Sequence, residues 1–289
     1  MYNRKKFLQL GTAAAGALAL SPLSDNFSIG DDTRKLKTFG LQLYTLRDDL
    51  PKDPKGVLQQ VASFGYRQIE SYEGPNGMFW GMSNMDFKKY MDDLGMKIIA
   101  SHSDINKDFE KKAAEAAAIG MKYLICPWLG PQKTIDDYKK AADTFNKKGE
   151  ICKSNGIRFA YHNHDYSFKP IDGQLPQDVM MSMTDPSLVD YELDMFWVVT
   201  AGEDVEGWLK KYKNRFRLCH VKDRSKTAGT NNGQNSVDLG TGSINWPSVL
   251  KTAKENGMEY FIVEQEYYPA STPMKSAEAN AEYMRRLKI

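Results

Sequence analysis

The chain has 289 residues, of which 41% are hydrophobic and 26% charged, a composition that excludes an intrinsically disordered protein. Its 39 basic and 37 acidic residues leave a formal charge of +2, which argues against a nucleic-acid-binding protein because these usually carry a clustered basic surplus. The three cysteines, Cys126, Cys152 and Cys219, lack the spacing of a metal-binding pair, so we expect buried thiols without a disulfide framework.

The first 22 residues have the pattern of an export signal. Basic residues at positions 4–6 precede an apolar run over 7–20, which is too short to span a bilayer comfortably. The order of residues 3–8 resembles the twin-arginine export motif with a lysine in the second arginine position, and a general secretory signal is the alternative. We predict a signal peptide at 1–22, a linker at 23–37, a periplasmic location, and no stable membrane anchor after signal removal.

After this region, apolar β-rich segments alternate with amphipathic helical segments. Several predicted helices end at a glycine that is followed by a hydrophobic residue, as at Gly65-Tyr66 and Gly156-Ile157, where the chain re-enters a sheet. The predicted strands cover 39–44, 67–71, 97–102, 122–127, 157–162, 188–194, 216–221 and 260–264. The predicted helices cover 54–64, 85–94, 108–119, 134–155, 177–183, 205–212, 247–256 and 273–287.

Eight strand–helix units in about 250 residues predict a closed parallel barrel, the α/β class known as the (β/α)8 TIM barrel. The alternative is an open doubly wound sheet, which requires a glycine-rich phosphate-binding turn after its first strand. Residues 43–48, which follow the first predicted strand, contain no glycine. We therefore predict one barrel domain over 38–289.

Polar residues gather where the predicted strands end, and a barrel carries its active site at this face. All four histidines of the chain lie there, which is improbable for residues placed at random. The polar residues at these ends are Gln42, Tyr44, Glu70, His102, Trp128, His162, His164, Asp194, His220, Lys222, Asp223 and Glu264.

Imidazole and carboxylate groups without thiolates favour a divalent ion such as Mn, Zn or Co, and suit Mg less well. Such an ion binds two oxygens of a polyol or hydroxyketone. It then stabilises the enediolate that forms when a proton leaves the carbon beside a carbonyl. The composition of these strand ends therefore indicates metal-dependent chemistry on a small carbohydrate.

Six segments in order along the chain carry a family resemblance: 40–47, 65–70, 161–165, 193–198, 220–223 and 263–266. Together they resemble the xylose isomerase-like TIM-barrel family, also called sugar phosphate isomerase/epimerase, in an exported bacterial form. The resemblance extends over about residues 38–289. It implies a barrel whose metal is held by side chains from strands five to eight.

Three of the implied metal ligands match Asp194, His220 and Glu264. Strand five departs from the family pattern, because its segment 162–167 has no glutamate. His164 is the candidate fourth ligand, with water as the alternative. The segment 239–246 resembles the family's glycine-rich loop after strand seven, but a turn into the next helix explains it equally well.

The predicted function is a divalent-metal-dependent isomerase or epimerase acting on a sugar or keto-sugar. A lyase or hydratase acting on an oxidised 3-keto-glycoside is one alternative, and a non-catalytic sugar-binding barrel is another. The predicted catalytic residues are Glu264, His164, His162, Lys222 and Glu70. The predicted substrate-binding residues are His102, Trp128, Tyr44, Gln42 and Asp223. The expected partner is a small-molecule carbohydrate, and the oligomeric state stays open.

Overall fold

The structure, a computed structural model, describes residues 36, 38–227, 233–269 and 271–289, and these belong to one compact unit. The predicted signal peptide and, apart from Leu36, the predicted linker lie outside the described residues, so both assignments stay predictions. Leu36 packs against the hydrophobic core. No helix within the described ranges is both long and apolar enough to cross a membrane.

Eight parallel strands close into a barrel, which confirms the predicted fold. Closure is made by β1 and β8, where Gly40 lies opposite Ile262 and Leu41 opposite Val263. The strands are β1 Gly40–Gln42, β2 Gln68–Tyr72, β3 Lys97–His102, β4 Tyr123–Cys126, β5 Arg158–His162, β6 Val189–Asp194, β7 Phe216–Val221 and β8 Tyr260–Val263.

Helices cover the barrel and begin where the sequence carries start signals. The side chains of Asp53, Ser83 and Thr134 each accept a hydrogen bond from a backbone N–H in the first turn of their helix. The helices are α1 Pro54–Ser63, α2 Asn84–Asp93, α3 Phe109–Ala118, α4 Ile135–Ser154, α5 Pro176–Met183, α6 Met195–Thr200, α7 Val205–Lys211, α8 Trp246–Glu255 and α9 Pro273–Arg286.

Two local features differ from the prediction. Strand β1 ends at Gln42, and the residues that follow form a 3-10 turn, Leu43–Leu46, because the Gln42 side chain accepts a hydrogen bond from the Tyr44 N–H. Helix α6 follows β6 without a loop and was not predicted, since its apolar, partly β-branched sequence has no start signal apart from Asp194. The Asp194 carboxylate caps this helix by accepting from Trp197 N–H at 3.2 Å.

The inside of the barrel is divided into an apolar and a polar layer. Ala100, Ala160 and Leu218 belong to a small buried cluster separate from the main core. Each precedes a histidine by two residues, at His102, His162 and His220, and residues two apart on a strand share a face. The histidines therefore form the layer above, towards the C-terminal ends of the strands, and the chemistry of the barrel is confined to this end.

Gly149, in the middle of α4, is expected to resist replacement by alanine. In an exposed helix this change stabilises by about 1 kcal/mol. Here a Cβ atom would lie 2.8 Å from the backbone oxygen of Leu188, which cannot move freely. We expect Gly149→Ala to lower the free energy of unfolding by about 1–3 kcal/mol. Urea unfolding measures this, with Lys147→Ala on the exposed face of α4 as the control; a stabilised Gly149→Ala variant would contradict the packing argument.

Candidate active site

In the polar layer, polar side chains occur at every second residue at the ends of four strands. Four pairs of polar residues are two positions apart: His162 and His164, Glu192 and Asp194, His220 and Lys222, and Glu264 and Glu266. An extended chain directs both members of such a pair to the same side, which here is the barrel axis. The result is a stack of imidazole, carboxylate and ammonium groups enclosed by the strands.

Asp194, His220 and Glu264 offer ligand atoms that all lie within 4.8 Å of one another, and we call this group the outer cluster. His220 Nδ1 lies 3.0 Å from Glu264 Oε2 and 3.6 Å from Asp194 Oδ2. These are the three residues that the family resemblance implied as metal ligands. Their convergence meets the geometric condition for a shared divalent ion.

Lys222 shows that this position favours a cation. Its ammonium lies 3.4 Å from Asp194 Oδ2, 3.2 Å from Glu264 Oε2 and 2.5 Å from Glu266 Oε2. Burial lowers the pKa of Lys222, but the negative charges of Asp194, Glu266 and Glu264 outweigh burial and hold it well above its ordinary value. The carboxylates that would hold a divalent ion are thus already arranged around a positive charge, and their oxygen and imidazole donors suit such an ion.

A second group, the inner cluster, consists of His102, His162, Glu192 and His220, with ligand atoms again within 4.8 Å of one another. Glu192 Oε2 is its centre, at 2.9 Å from His102 Nε2, 3.0 Å from His162 Nδ1 and 3.3 Å from His220 Nε2. His220 therefore belongs to both clusters, with one ring nitrogen facing each.

Charge and burial act in opposite directions on the histidines and carboxylates of the inner cluster. Burial lowers the pKa of His102, but Glu70 and Glu192 outweigh it and raise that pKa to about 9. Burial and the neighbouring Glu70 charge raise the pKa of Glu192 to about 8. Burial and the positive charge of His220 hold the pKa of His162 well below its ordinary value. The cluster thus contains more negative charge than it can bury without taking up protons or cations.

Gln42 and Glu70, predicted to bind substrate and to act in catalysis, are fully buried beside these clusters. The Gln42 amide donates to Glu70 Oε1 at 2.5 Å, and the same oxygen lies 2.8 Å from His220 Nε2. Neither residue lines the cavity at the barrel mouth. Gln42 thus contacts Glu70, and Glu70 contacts His220; the predicted substrate-binding role of Gln42 and the predicted catalytic role of Glu70 stay predictions.

A cavity of about 340 Å³ opens above the outer cluster. Five of the predicted site residues line it: Tyr44, His102, Trp128, His164 and Glu264. The sequence analysis did not select six other lining residues: Tyr72, Glu73, Ser103, Asp104, Pro127 and Glu266. The indole of Trp128 is 58% exposed and offers an apolar surface of the kind that packs against sugar rings.

Asp223, predicted to bind substrate, has its carboxylate engaged by backbone N–H groups, and its substrate-binding role stays a prediction. Its carboxylate is fully buried and accepts hydrogen bonds from the backbone N–H groups of Gly240, Gly242 and Ile244 at 2.9–3.2 Å. The backbone N–H of Arg224 also donates to this carboxylate at 2.9 Å, so four donors occupy its acceptor sites. Asp223 therefore fixes the glycine-rich loop after β7 and is not among the residues that line the cavity.

His164 lies on the cavity wall and outside both clusters. Its ring centroid is 4.5 Å from that of Trp128 and 5.6 Å from that of Tyr166, and its Nδ1 has no hydrogen-bond partner among the described residues. Burial lowers its pKa to about 3, so the imidazole is neutral at neutral pH. Its predicted roles as base and fourth metal ligand stay predictions.

Ser167, in the strand-five segment 162–167 that lacks a glutamate, is directed away from the clusters. Its hydroxyl is buried and lies 3.0 Å from the Tyr161 hydroxyl, and the Tyr161 ring stacks on Phe145 of α4. Strand five therefore contributes histidines in place of a carboxylate.

Glu192 and Glu266 are the important residues that the sequence analysis left out of the predicted site. Both stand two residues from a selected carboxylate, at Asp194 and Glu264. The repeat of two was the available signal, because a residue two positions from an inward side chain on a strand points inward as well.

Three comparisons with known proteins agree with this geometry. A family model described as xylose isomerase-like TIM barrel matches residues 58–287. A solved sugar phosphate isomerase/epimerase of Parabacteroides distasonis is 30% identical, with a TM-score of 0.74 over 86% of this chain and 97% of that one. The IOLI protein, solved with a bound zinc atom, has a TM-score of 0.68 at 17% identity, over 85% of this chain and 95% of that one, and supports the fold alone.

Among curated proteins, the inosose dehydratase of Clostridium perfringens is 30% identical over 165 residues. The match covers 52% of this chain and 54% of that protein, so the chain spans about half the length of the first curated relatives it matches. The chain is therefore similar both to a protein named as a lyase and to one named as an isomerase/epimerase.

Proposed function

Because the chain belongs to the xylose isomerase-like TIM barrel family, a family of sugar-processing enzymes, we propose that it is a metal-dependent lyase. Its substrate is a cyclic keto-sugar with a hydroxyl or glycosidic oxygen on the second carbon from the carbonyl. The observation that carries the proposal is the pairing of Glu264 and Glu266 on one wall of the cavity, with the Lys222 ammonium in contact with both carboxyl groups.

The pKa values of the two carboxyl groups are shifted in opposite directions, and each shift has a physical cause. Burial raises the pKa of Glu264, but Lys222 and His220 outweigh burial and hold it well below its ordinary value, so Glu264 is an ionised base. Glu266 keeps a raised pKa although its carboxylate is nearer to the Lys222 ammonium than that of Glu264, because burial and the Glu264 charge outweigh the attraction of Lys222. Two titratable groups whose pKa values are moved apart form an acid–base pair.

This pair fits an elimination on one face of the sugar. Glu264 takes the proton from the carbon beside the carbonyl, and the electron pair forms a carbon–carbon double bond. The bond from the neighbouring carbon to oxygen breaks, and Glu266 gives that oxygen a proton, so water or an alcohol leaves. A divalent ion held by Asp194, His220 and Glu264 of the outer cluster would supply polarisation of the carbonyl and neighbouring hydroxyl oxygens.

Lys222 couples the two carboxyl groups, because its ammonium contacts both. In the enolate-forming step it holds positive charge next to the developing oxyanion. Trp128 and Tyr44 border the same cavity and confine the ring of the substrate. The similarity to an inosose dehydratase, whose name describes water loss from a keto-polyol, supports this reaction class.

An isomerase or epimerase is the second candidate, and the likeness to the Parabacteroides distasonis protein favours it. Inversion at a carbon requires proton carriers on both faces of the substrate. The titratable side chains that line the cavity apart from Glu264 are Glu73, His102, Asp104, His164 and Glu266, besides two tyrosines. Of the two histidines, His164 is a weak base, because burial lowers its pKa to about 3. The neutral His164 is the reason why we place the lyase first.

Proton NMR in deuterated water distinguishes the candidates, with inosose and a 3-keto-glucoside as substrates and purified protein loaded with Mn²⁺, Co²⁺ or Zn²⁺. The lyase releases water or the aglycone and yields an unsaturated or diketone product. An isomerase or epimerase retains every oxygen and yields a new isomer that carries deuterium beside the carbonyl. If metal-loaded, folded protein catalyses neither exchange nor elimination, both enzymatic candidates are wrong and a sugar-binding barrel remains.

His164→Ala tests the epimerase directly. If His164 carries a proton on the second face, this change lowers turnover by about 100-fold or more. Under the lyase mechanism we expect a loss below about tenfold, from looser packing of Trp128. Steady-state kinetics measure this, and Tyr166→Phe is the control, since it keeps the ring that stacks on His164.

We also propose export of the chain through its first 22 residues. The basic start and short apolar run of that segment support the proposal. In a bacterial host we expect the full chain in the periplasmic fraction and a chain starting at Arg34 in the cytoplasm, folded. Cytoplasmic retention of the full chain contradicts export, and loss of export in a host without the twin-arginine system identifies the route.

A further inference from the structure

We propose that Glu73 is the residue by which the cavity recognises one hydroxyl group of its substrate, at a carbon outside the bonds that react. This inference rests on the proposed function, because it takes the substrate to be a ring that carries several hydroxyl groups. Glu73 comes directly after β2 and lines the cavity. No step of the proposed reaction uses it, so it is available for specificity.

The Glu73 carboxylate is held in place by two other segments of the chain. Its Oε2 atom accepts a hydrogen bond from the Asp104 N–H at 2.9 Å and another from the Lys112 ammonium at 2.6 Å. Lys112, on α3, has only 10% of its side chain exposed and also donates to the Asp104 carbonyl oxygen at 2.8 Å. The Glu73 N–H donates to the His102 carbonyl oxygen at 2.9 Å. Because main chain and carboxylate are both fixed, little ordering of Glu73 is needed when a ligand binds.

The second oxygen of this carboxylate is left for a ligand. Glu73 Oε1 makes no hydrogen bond to any residue that the structure describes, and it is accessible from outside the protein. The side chain is 26% exposed, and the residue belongs to the cavity wall. A carboxylate oxygen accepts hydrogen bonds, so the ligand group that binds it must be a donor.

Charge determines which kind of donor fits. Lys112 already compensates the negative charge of Glu73, so an ammonium substituent on the substrate would gain little net attraction there. A phosphate or carboxylate substituent would be repelled, because Asp104 also borders the cavity and the lining residues that the structure describes include no lysine or arginine. A neutral hydroxyl is the donor that satisfies Oε1 in both respects.

The order of the strands separates this hydroxyl from the reacting bonds. Glu264 and Glu266 follow β8, whereas Glu73 follows β2, and β1 pairs with both of these strands and lies between them. Tyr44, which comes after β1, is the lining residue from the intervening strand. One edge of the substrate ring therefore contacts the acid–base pair and another contacts Glu73. Glu73 selects the substrate through a hydroxyl that the reaction leaves intact.

The test compares the binding of sugars that each lack one hydroxyl. Methyl glucoside has no carbonyl and cannot react, so calorimetric titration with it and with its 2-, 4- and 6-deoxy analogues does not depend on the proposed reaction. We expect Mn²⁺-loaded protein to bind one analogue about 10- to 100-fold more weakly than the parent sugar. The combined variant Glu73→Met, Lys112→Met removes the hydrogen bond without leaving a buried ammonium unpaired. In this variant the difference between the parent and that analogue should fall below about twofold, because neither sugar can then bond to Glu73.

The matched control is the combined variant Glu110→Met, Lys111→Met, which removes the same two charges from exposed positions of α3. It should keep the full difference between the two sugars. If circular dichroism shows that the cavity variant is unfolded, Glu73→Gln replaces it. A neutral amide bonds more weakly than a carboxylate, so the difference should then shrink by about threefold or more.

Loss of discrimination at one hydroxyl, confined to the Glu73 variant, supports the proposal. If the variant binds the parent and every analogue more weakly by one common factor, Glu73 has a structural role only and the proposal is wrong. It is equally wrong if the unaltered protein binds none of these sugars, or all of them with the same affinity. A protein that discriminates through Glu73 but converts no keto-sugar would refute the proposed reaction and leave this inference in place.

Discussion

Replacing Glu264 by glutamine is expected to abolish turnover, with kcat lowered by about 1,000-fold or more, because one side chain serves two functions. It is the base that removes the substrate proton, a contribution of about 10²–10⁴-fold. It is also one of three outer-cluster ligands, so bound metal should weaken too. Both deuterium exchange beside the carbonyl and release of the leaving group should disappear, which NMR in deuterated water measures.

The matched control is Glu278→Gln, an exposed glutamate on α9 that makes the same chemical change far from the cavity. It should keep full turnover and full metal content. A Glu264→Gln variant that still exchanges the proton at the unaltered rate would show that another group is the base, and the assignment of acid and base on this wall would be wrong.

Replacing Glu266 by glutamine is expected to separate the two halves of the reaction. The amide cannot give a proton to the leaving oxygen, so elimination should fall by about 100- to 1,000-fold. Glu264 remains an ionised base next to Lys222, so deuterium exchange beside the carbonyl should continue. A substrate with a good leaving group, such as a nitrophenyl 3-keto-glucoside, should recover much of the lost rate because it leaves without a proton.

Comparing the rates of exchange and elimination, with a poor and with a good leaving group, tests whether Glu266 donates the proton. If exchange and elimination fall by the same factor in Glu266→Gln, Glu266 acts only through its contact with Lys222. If neither changes, the proton for the leaving group comes from elsewhere, and the single-face elimination is wrong. A change confined to elimination is the expected result.

The sequence by itself determined the barrel and the composition of its active end. The regular alternation of β-rich and helical segments, with several helices ending at a glycine, predicts eight units, and eight parallel strands bury their edges by closing. Histidines and carboxylates at the strand ends were then expected to converge, because closure brings these ends together. Asp194, His220 and Glu264 do so, although no two of them are close in the chain.

The tertiary structure decided how deep in the barrel each polar side chain lies and which group it contacts. A strand end shows that a residue faces the mouth of the barrel but not whether a neighbour uses its hydrogen-bonding groups. Asp223 and Gln42 had the same sequence signals as Glu264, yet Asp223 binds the amides of the loop that follows β7 and Gln42 binds Glu70. Such contacts link residues up to 28 positions apart and depend on loop conformation.

The division of the polar layer into an outer and an inner cluster is likewise a property of packing. Glu192 and Asp194 are two residues apart and face the same side, but Glu192 lies lower in the barrel, among three imidazoles, and Asp194 lies at the level of Lys222. Height along the barrel axis depends on the register of each strand against its neighbours, including the shift between Tyr191 and Glu192 where β6 pairs with β7. Register is determined by the joint packing of strands and helices, so local sequence signals alone could not place these two carboxylates at different levels.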